Sequence, residues 1–197
     1  MPTAQEEFWR GSFGFEYTDR CRVDWQTRVP FWRDIIHDFR PRSVLEVGCN
    51  AGWNLHAIRS IATDIALAGV DVNQAAREEA AQAGFEVHDT PASLVGNRWP
   101  NQFDLVFTAG VLIHVAPGDI ADVMDSIIAA SRRWVLAIEY AANEEEEVAY
   151  RGHWERLWRR PFGAMYADMG LVPIESGLLS NDDGFDRCGY WMLEKSA

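Results

Sequence analysis

The sequence lacks any stretch of about 18 or more consecutive apolar residues, so no transmembrane helix is expected. Its start, Met1-Pro-Thr-Ala-Gln-Glu-Glu7, has neither the positive charge nor the apolar run of a secretory signal, and the expectation is a cytoplasmic protein. Cysteine is scarce. Cys21, Cys49 and Cys188 are widely spaced, odd in number and form no CxxC pair, which excludes a disulfide framework and fits reduced thiols. Basic charge is also short, with 18 Lys and Arg against 30 Asp and Glu and a net charge of -12. Proteins that grip nucleic-acid phosphates need the opposite balance, so nucleic acid and anionic membranes are not expected as main partners. There is no internal repeat or low-complexity linker. His37, His56 and His88 have no partner at metal-ligand spacing, so no metal is expected.

What is present is the balance of a soluble globular domain: 197 residues, 48% hydrophobic and 24% charged. Nine Trp stand out, and Trp9, Trp25, Trp32, Trp154, Trp158 and Trp191 lie in the two flanks, which suggests flanks that close over something. Residues 1–40 read as helical, with an amphipathic turn at Ala4–Trp9 and a helical period over Asp24–Phe39, and are expected to form a lid on a core at 41–197. From Ser43 onward short apolar runs alternate with helical ones. Strands are expected at Ser43–Val47, Ile65–Val70, Phe85–His88, Phe103–Phe107 and Trp134–Ile138, with helices at Trp53–Thr63, Gln74–Ala83 and Asp119–Ala130. A helical stretch over His153–Met169 follows, then two strand-like runs, Leu171–Leu179 and Gly189–Leu193, joined by turn formers. The pattern is an α/β fold with a doubly wound, mostly parallel seven-stranded sheet that ends in an antiparallel hairpin. The acidic run Glu144–Glu147 reads as a solvated loop or a helix start.

The strongest local signal is Val44-Leu-Glu-Val-Gly-Cys-Asn-Ala-Gly-Trp-Asn54, a strand that runs into Gly48 and Gly52 before a helix. Glycines there let backbone pass close to a ligand. The second strand ends in Gly69-Val-Asp-Val-Asn73, placing Asp71 23 positions beyond Gly48, where a carboxylate accepts both hydroxyls of a ribose. Asp89 follows the third strand, at the position of an adenine edge. The three points describe an adenosine-bearing ligand at the carboxyl ends of the strands. A dinucleotide site needs G-x-G-x-x-G and a free helix N-terminus for pyrophosphate. Here the third glycine is missing, and Glu46 opposes a pyrophosphate but suits a ligand with a positive amino group. A nicotinamide-dependent oxidoreductase is therefore disfavoured.

This pattern resembles motif I of the class I S-adenosylmethionine-dependent methyltransferases. Asp71 corresponds to the motif II acid, Asp89-Thr90-Pro91 to the adenine-side motif, and Phe103–Val115 to the family's fourth strand and the segment after it. The resemblance implies S-adenosyl-L-methionine as cofactor and S-adenosyl-L-homocysteine as product. It implies a cofactor site drawn from Glu46, Gly48, Cys49, Asn50, Gly52, Asn54, Asp71, Val72, Asn73, Asp89, Thr90, Pro91, Thr108, Ala109 and Gly110. The flanks, Gln5–Arg20, Tyr150–Phe162 and Trp191–Lys195, resemble the methylases associated with pseudaminic acid biosynthesis. Cys21 and Pro161 depart from that pattern. The N-terminal segment adds Trp9, Tyr17 and Arg20 as lid residues, Arg20 to pair with the methionyl carboxylate.

Cys49 fits a turn that needs a small residue better than it fits a nucleophile. Asn50 and Asn54 suit either cofactor hydrogen bonds or helix capping. His114 follows the fourth strand, where it is either a general base titrating near neutral pH or a packed, hydrogen-bonded residue. Glu139 and Tyr140 end the fifth strand, and His153 with Arg156, about one helical turn apart, is expected to face the acceptor. The expected acceptor is a small polar metabolite, a sugar or a peptide, methylated on oxygen or nitrogen. A tailoring enzyme for peptides or natural products and a non-catalytic cofactor-binding protein are the alternatives.

Overall fold

The computed structural model describes residues 2–196. Seven strands form one sheet: β1 Ser43–Val47, β2 Ala66–Val70, β3 Glu86–His88, β4 Phe103–Ala109, β5 Ser131–Glu139, and a C-terminal pair, β8 Leu171–Leu178 and β9 Gly189–Lys195. A separate two-stranded ribbon joins β6 Glu146–Glu147 to β7 Trp158–Arg159. The main sheet runs β3-β2-β1-β4-β5-β9-β8. Its first five members are parallel, and β9 enters antiparallel between β5 and β8. The order reverses between β1 and β4, the switch point at which such sheets bind ligands beyond their carboxyl ends.

Alternation along the strands builds two cores, because successive side chains leave a strand on opposite faces. Val44, Leu105, Phe107, Leu136 and Ile138 pack under α3 (Val29–Phe39) and α4 (Trp53–Ile61), with Trp32 and Ile35 of α3 buried among them. Leu45, Val47, Val106, Val135 and Ala137 pack under α7 (Ile120–Ala130) and α8 (Phe162–Asp168). A helix α5 (Gln74–Gln82) and a short α6 (Val95–Arg98) complete the layers. No helix among the described residues is long and apolar enough to cross a membrane.

The N-terminal segment divides differently from its sequence pattern. Helix α3 belongs to the core, whereas α1 (Ala4–Arg10) and α2 (Ser12–Arg20) lie over the carboxyl end of the sheet. Thr3 starts α1 with a capping box: its hydroxyl accepts from the Glu6 amide, and the Glu6 carboxylate accepts from the Thr3 amide. Gly11 then breaks the chain before α2. At Gly14 a Cβ would collide with the Trp9 carbonyl oxygen and stand 2.7 Å from Asn73, so only glycine permits α2 to sit this close to α1 and to the start of α5.

The expected helix over His153–Met169 forms only as α8. Residues before it make the β6–β7 ribbon, and the run Glu144–Glu147 contributes a strand rather than a helix start. The cause is Arg160. Its guanidinium is fully buried, ion-paired to Glu145 at 2.6 Å and donating to the carbonyls of Leu112 and Val115. A buried cation needs such partners, and they tie this segment to the loop after β4.

Candidate functional site

A cavity of about 630 Å³ opens at the carboxyl ends of β1, β2, β4 and β5, beneath α1 and α2. That size suits a small-molecule ligand. Trp9, Tyr17, Glu46, Gly48, Cys49, Asn50, Asn54, Asp71, Val72, Asn73, Thr90, Ala109, Gly110, His114 and Tyr140 line it. Thus most of the residues singled out in the sequence meet in one place.

On the cavity floor, β1 delivers Glu46. Its Oε1 accepts from Asn54 Nδ2 at 2.6 Å, while its buried Oε2 has no partner among the described residues. Asn54 is oriented by two donors on its own oxygen, Arg28 Nη1 at 2.9 Å and Trp32 Nε1 at 3.1 Å. It neither caps α4 nor stands free, and its work is to position Glu46. Burial pushes the Glu46 carboxyl up to about 8, against the opposing effects of Asn54 and Arg28.

The turn after β1 places the second carboxylate. Asp71 Oδ2 accepts from the Asn50 amide and Oδ1 from the Asn73 amide, both at 2.8 Å, which fixes the plane of the group. Asn50 reaches its position with a left-handed φ of 47°, and Asn73 caps α5 by accepting from the Ala76 amide. Burial raises the Asp71 carboxyl, and the two amides hold it down. Cys49 is buried, burial raises its thiol well above the ordinary value, and its sulfur fills the space left by Gly69; it is a packing residue.

Gly48 and Gly52 differ in what they do. Gly48 lines the cavity with φ of 74°, and a Cβ there would collide with Val111. Gly52 does not line the cavity. Its φ is 81°, and a Cβ would stand 3.1 Å from the Phe85 ring, on the side of the core. The close approach of ligand expected at Gly52 is therefore replaced by a backbone requirement. Gly52→Ala should cost about 1–2 kcal/mol of stability and leave ligand affinity near the parent value, a pattern that chemical denaturation and calorimetry on one sample will report.

Other expected contacts lie outside the cavity. Asp89 is gripped by both terminal nitrogens of Arg10, at 3.0 and 2.7 Å, and by Arg77 at 3.3 Å; Arg10 holds its carboxyl below the usual range. It therefore latches α1 to the end of β3, and Pro91 beside it does not reach the cavity either. Arg20 pairs with Glu16 one turn back at 3.0 Å and lies over Phe13. Arg28, unsuspected from the sequence, takes the place at the cavity wall. Its Nε donates to the Gly184 carbonyl at 3.0 Å, and its guanidinium lies over Phe185. No motif marks it, because its partners come from residues 54 and 184.

The expected proton-handling groups also separate. Glu139 is fully buried and accepts from the amides of Val111 and Leu112 at 3.1 Å and Ile113 at 3.3 Å, with Thr108 buried beside it. Sealed in this way, it organises the loop after β4, and neither it nor Thr108 reaches the cavity. The Tyr140 hydroxyl donates to Asp186 at 2.5 Å, and burial with that carboxylate raises it. His153 is exposed, packed on Phe8 and Phe13 on the outer side of the lid. His114 lines the cavity, and its Nδ1 donates to the Arg156 carbonyl at 2.6 Å. A carbonyl only accepts, so Nδ1 carries the hydrogen and Nε2 keeps a lone pair. Burial lowers this imidazole to about 4, so the expected titration near neutral pH gives way to a neutral ring.

Residues 23–167 match the family model described as a methyltransferase domain. The chain belongs to that family. No curated protein matches the sequence. Solved methyltransferases share its fold at low identity. The Burkholderia thailandensis 1,6-didemethyltoxoflavin-N1-methyltransferase, with bound 1,6-didemethyltoxoflavin and S-adenosylhomocysteine, is 16% identical with a TM-score of 0.77, covering 100% of this chain and 92% of that one. Magnesium protoporphyrin IX methyltransferase from Synechocystis, with bound S-adenosylhomocysteine, is 13% identical with a TM-score of 0.74, covering 97% and 98%. A sugar N-methyltransferase from Streptoalloteichus is 15% identical with a TM-score of 0.67, covering 95% and 94%. In this methyltransferase the loop between Gly48 and Asn54 and the acid at Asp71 stand on the same side of the sheet, at its switch point.

Proposed function

We propose that the protein is a cytoplasmic S-adenosylmethionine-dependent methyltransferase that acts on nitrogen or oxygen of a small-molecule acceptor. The observation that carries this reading is the unpaired, buried Oε2 of Glu46 on the cavity floor, a carboxylate oxygen that an ammonium group satisfies. Asp71 stands ready for a ribose diol, each oxygen keeping acceptor capacity beyond its one amide. Arg28 faces the cavity and suits the methionyl carboxylate better than Arg20, which is engaged by Glu16.

When bound, S-adenosylmethionine supplies an electrophilic methyl group on a sulfonium sulfur. The chain's own task is to hold the acceptor in line and to keep water out. Helices α1 and α2 act as the lid, fastened by Arg10 on Asp89 and Arg22 on Glu79. Trp9 rests on His114 with ring centres 4.7 Å apart, which closes the cavity over its central strands.

Glu46 makes cofactor binding proton-linked. In the free protein its carboxyl sits near 8, with Asn54, Arg28 and Asp71 as the groups facing it. An ammonium favours the ionised form, so binding at pH 7 should release up to about one proton, and affinity should rise as pH approaches 8. Calorimetry in two buffers of different ionisation enthalpy measures the release. Glu46→Gln should abolish it, and binding with no proton release in the parent protein would remove Glu46 from the ammonium site.

The transferase reading is tested by incubating methyl-labelled S-adenosylmethionine with the small-molecule fraction of a cell extract. Label is expected in a methylated product together with S-adenosylhomocysteine. Tight binding of S-adenosylhomocysteine with no transfer to any extract component would favour a binding protein.

A further inference from the structure

Above the groups assigned to the cofactor, one wall of the cavity is built from rings. Tyr17 meets Trp9 edge-on at 5.2 Å, Trp9 meets His114 at 4.7 Å, and His114 meets Tyr150 at 5.0 Å. All four line the cavity, and Tyr140 lines it as well, its hydroxyl already committed to Asp186. The wall joins the lid, the loop after β4 and the segment before the ribbon's second strand, so it exists only when these parts close together. Within it, Nδ1 of His114 is held by the Arg156 carbonyl, and Nε2 makes no hydrogen bond among the described residues. That nitrogen is a fixed acceptor set in an aromatic surface.

We propose that the methyl acceptor is a flat aromatic or heteroaromatic molecule that lies against this wall and presents its reacting N–H or O–H to Nε2 of His114. The proposal rests on the methyltransferase reading above. Ring faces and edges favour stacked or edge-on aromatic partners. Reactivity points the same way. An alkyl amine is almost wholly protonated at neutral pH and has no lone pair to give. An alkyl hydroxyl needs a strong base, and His114 is a weak one, held neutral by burial. An aryl amine keeps its N–H and a free lone pair together at neutral pH, and a phenol or enol is acidic enough to react without a strong base. The acceptor's lone pair forms the new bond to the methyl carbon while the carbon–sulfur bond breaks and its electron pair stays on sulfur. The proton made acidic by that step then leaves to Nε2 or to water.

The test uses the full protein saturated with S-adenosylhomocysteine, whose binding is measured first, so that failure of the cofactor reading shows at that step and takes this proposal with it. Calorimetric titrations follow with three flat probes, 4-hydroxyquinoline, catechol and 2-aminopyridine, and two aliphatic amines, D-glucosamine and a lysine tripeptide. At least one flat probe should bind and both amines should bind more weakly. His114→Phe keeps a ring between Trp9 and Tyr150 but has no acceptor, and Tyr150→Leu removes a ring face. Each should weaken the flat probe about tenfold, the loss of one hydrogen bond or one ring contact, with S-adenosylhomocysteine affinity unchanged. Failure of every flat probe to bind the saturated protein, tighter binding of either amine, or no change in both folded variants would overturn the proposal.

Discussion

Asp71→Ala is expected to weaken S-adenosylhomocysteine binding by about 1.5–3 kcal/mol, the worth of charge-assisted hydrogen bonds to two hydroxyls. The side chain does not have to be ordered by the ligand, since the Asn50 and Asn73 amides already hold its two oxygens at 2.8 Å. Preorganisation of this kind keeps the ordering cost out of the binding step. Removing the carboxylate also frees the turn between β1 and α4, because the Asn50 amide loses the side-chain acceptor that holds it. Asp71→Asn keeps the shape and one acceptor oxygen and should lose less than the alanine variant. Calorimetry on samples with matched melting temperatures separates the two contributions. Parent-like affinity in folded Asp71→Ala would remove the residue from the ribose site.

The second large effect concerns folding. Glu139→Ala should destabilise the protein by about 3–5 kcal/mol, since it leaves the buried amides of Leu112 and Ile113, and the half-buried amide of Val111, without an acceptor. Denaturant unfolding measures the loss. The same residue shapes the pH profile. Burial raises its carboxyl from 4.5 to about 7 in the folded chain. The folded state therefore holds a proton that the unfolded state gives up in that window. Its stabilising share is full below pH 4.5 and is lost as pH rises to about 7, and Glu46 acts in the same sense up to about 8. His114, held neutral by burial, acts in the opposite sense below about 6.5, so the stability of the ligand-free parent should fall most clearly from about 6.5 to about 8, and the fall should flatten in Glu46→Gln. A parent stability that rises steadily from pH 5 to 8 would contradict both assignments.

The sheet was legible because its strands are short apolar runs bounded by turn formers, and all seven lie within a few residues of where alternation puts them. The loop from Gly48 to Asn54 and the acid at Asp71 were legible for the same local reason, a strand-turn-helix with its own spacing. What escaped is set by contacts distant in sequence. Asp89 has the right position for a ligand group, yet Arg10 claims it from 79 residues away. Arg28 carries no motif and reaches the cavity only through Asn54 and Gly184. The stretch before α8 has Trp154 and Trp158 at helical spacing, but the pairing of Glu146–Glu147 with Trp158–Arg159 and the burial of Arg160 override that period. Gly52 was placed correctly in the turn, while the direction of its missing Cβ, toward Phe85, depends on how α4 and α5 pack.

Glu46 and Asp71 are proposed to hold S-adenosylmethionine in the cavity under α1 and α2. Calorimetric titration of the purified protein with S-adenosylhomocysteine, and separately with NADH, tests this assignment most directly. Saturable one-site binding of S-adenosylhomocysteine is expected, weakened in both Glu46→Gln and Asp71→Ala, with no binding of NADH, whose pyrophosphate meets the Glu46 side of the loop. Binding of NADH with S-adenosylhomocysteine inert would contradict it.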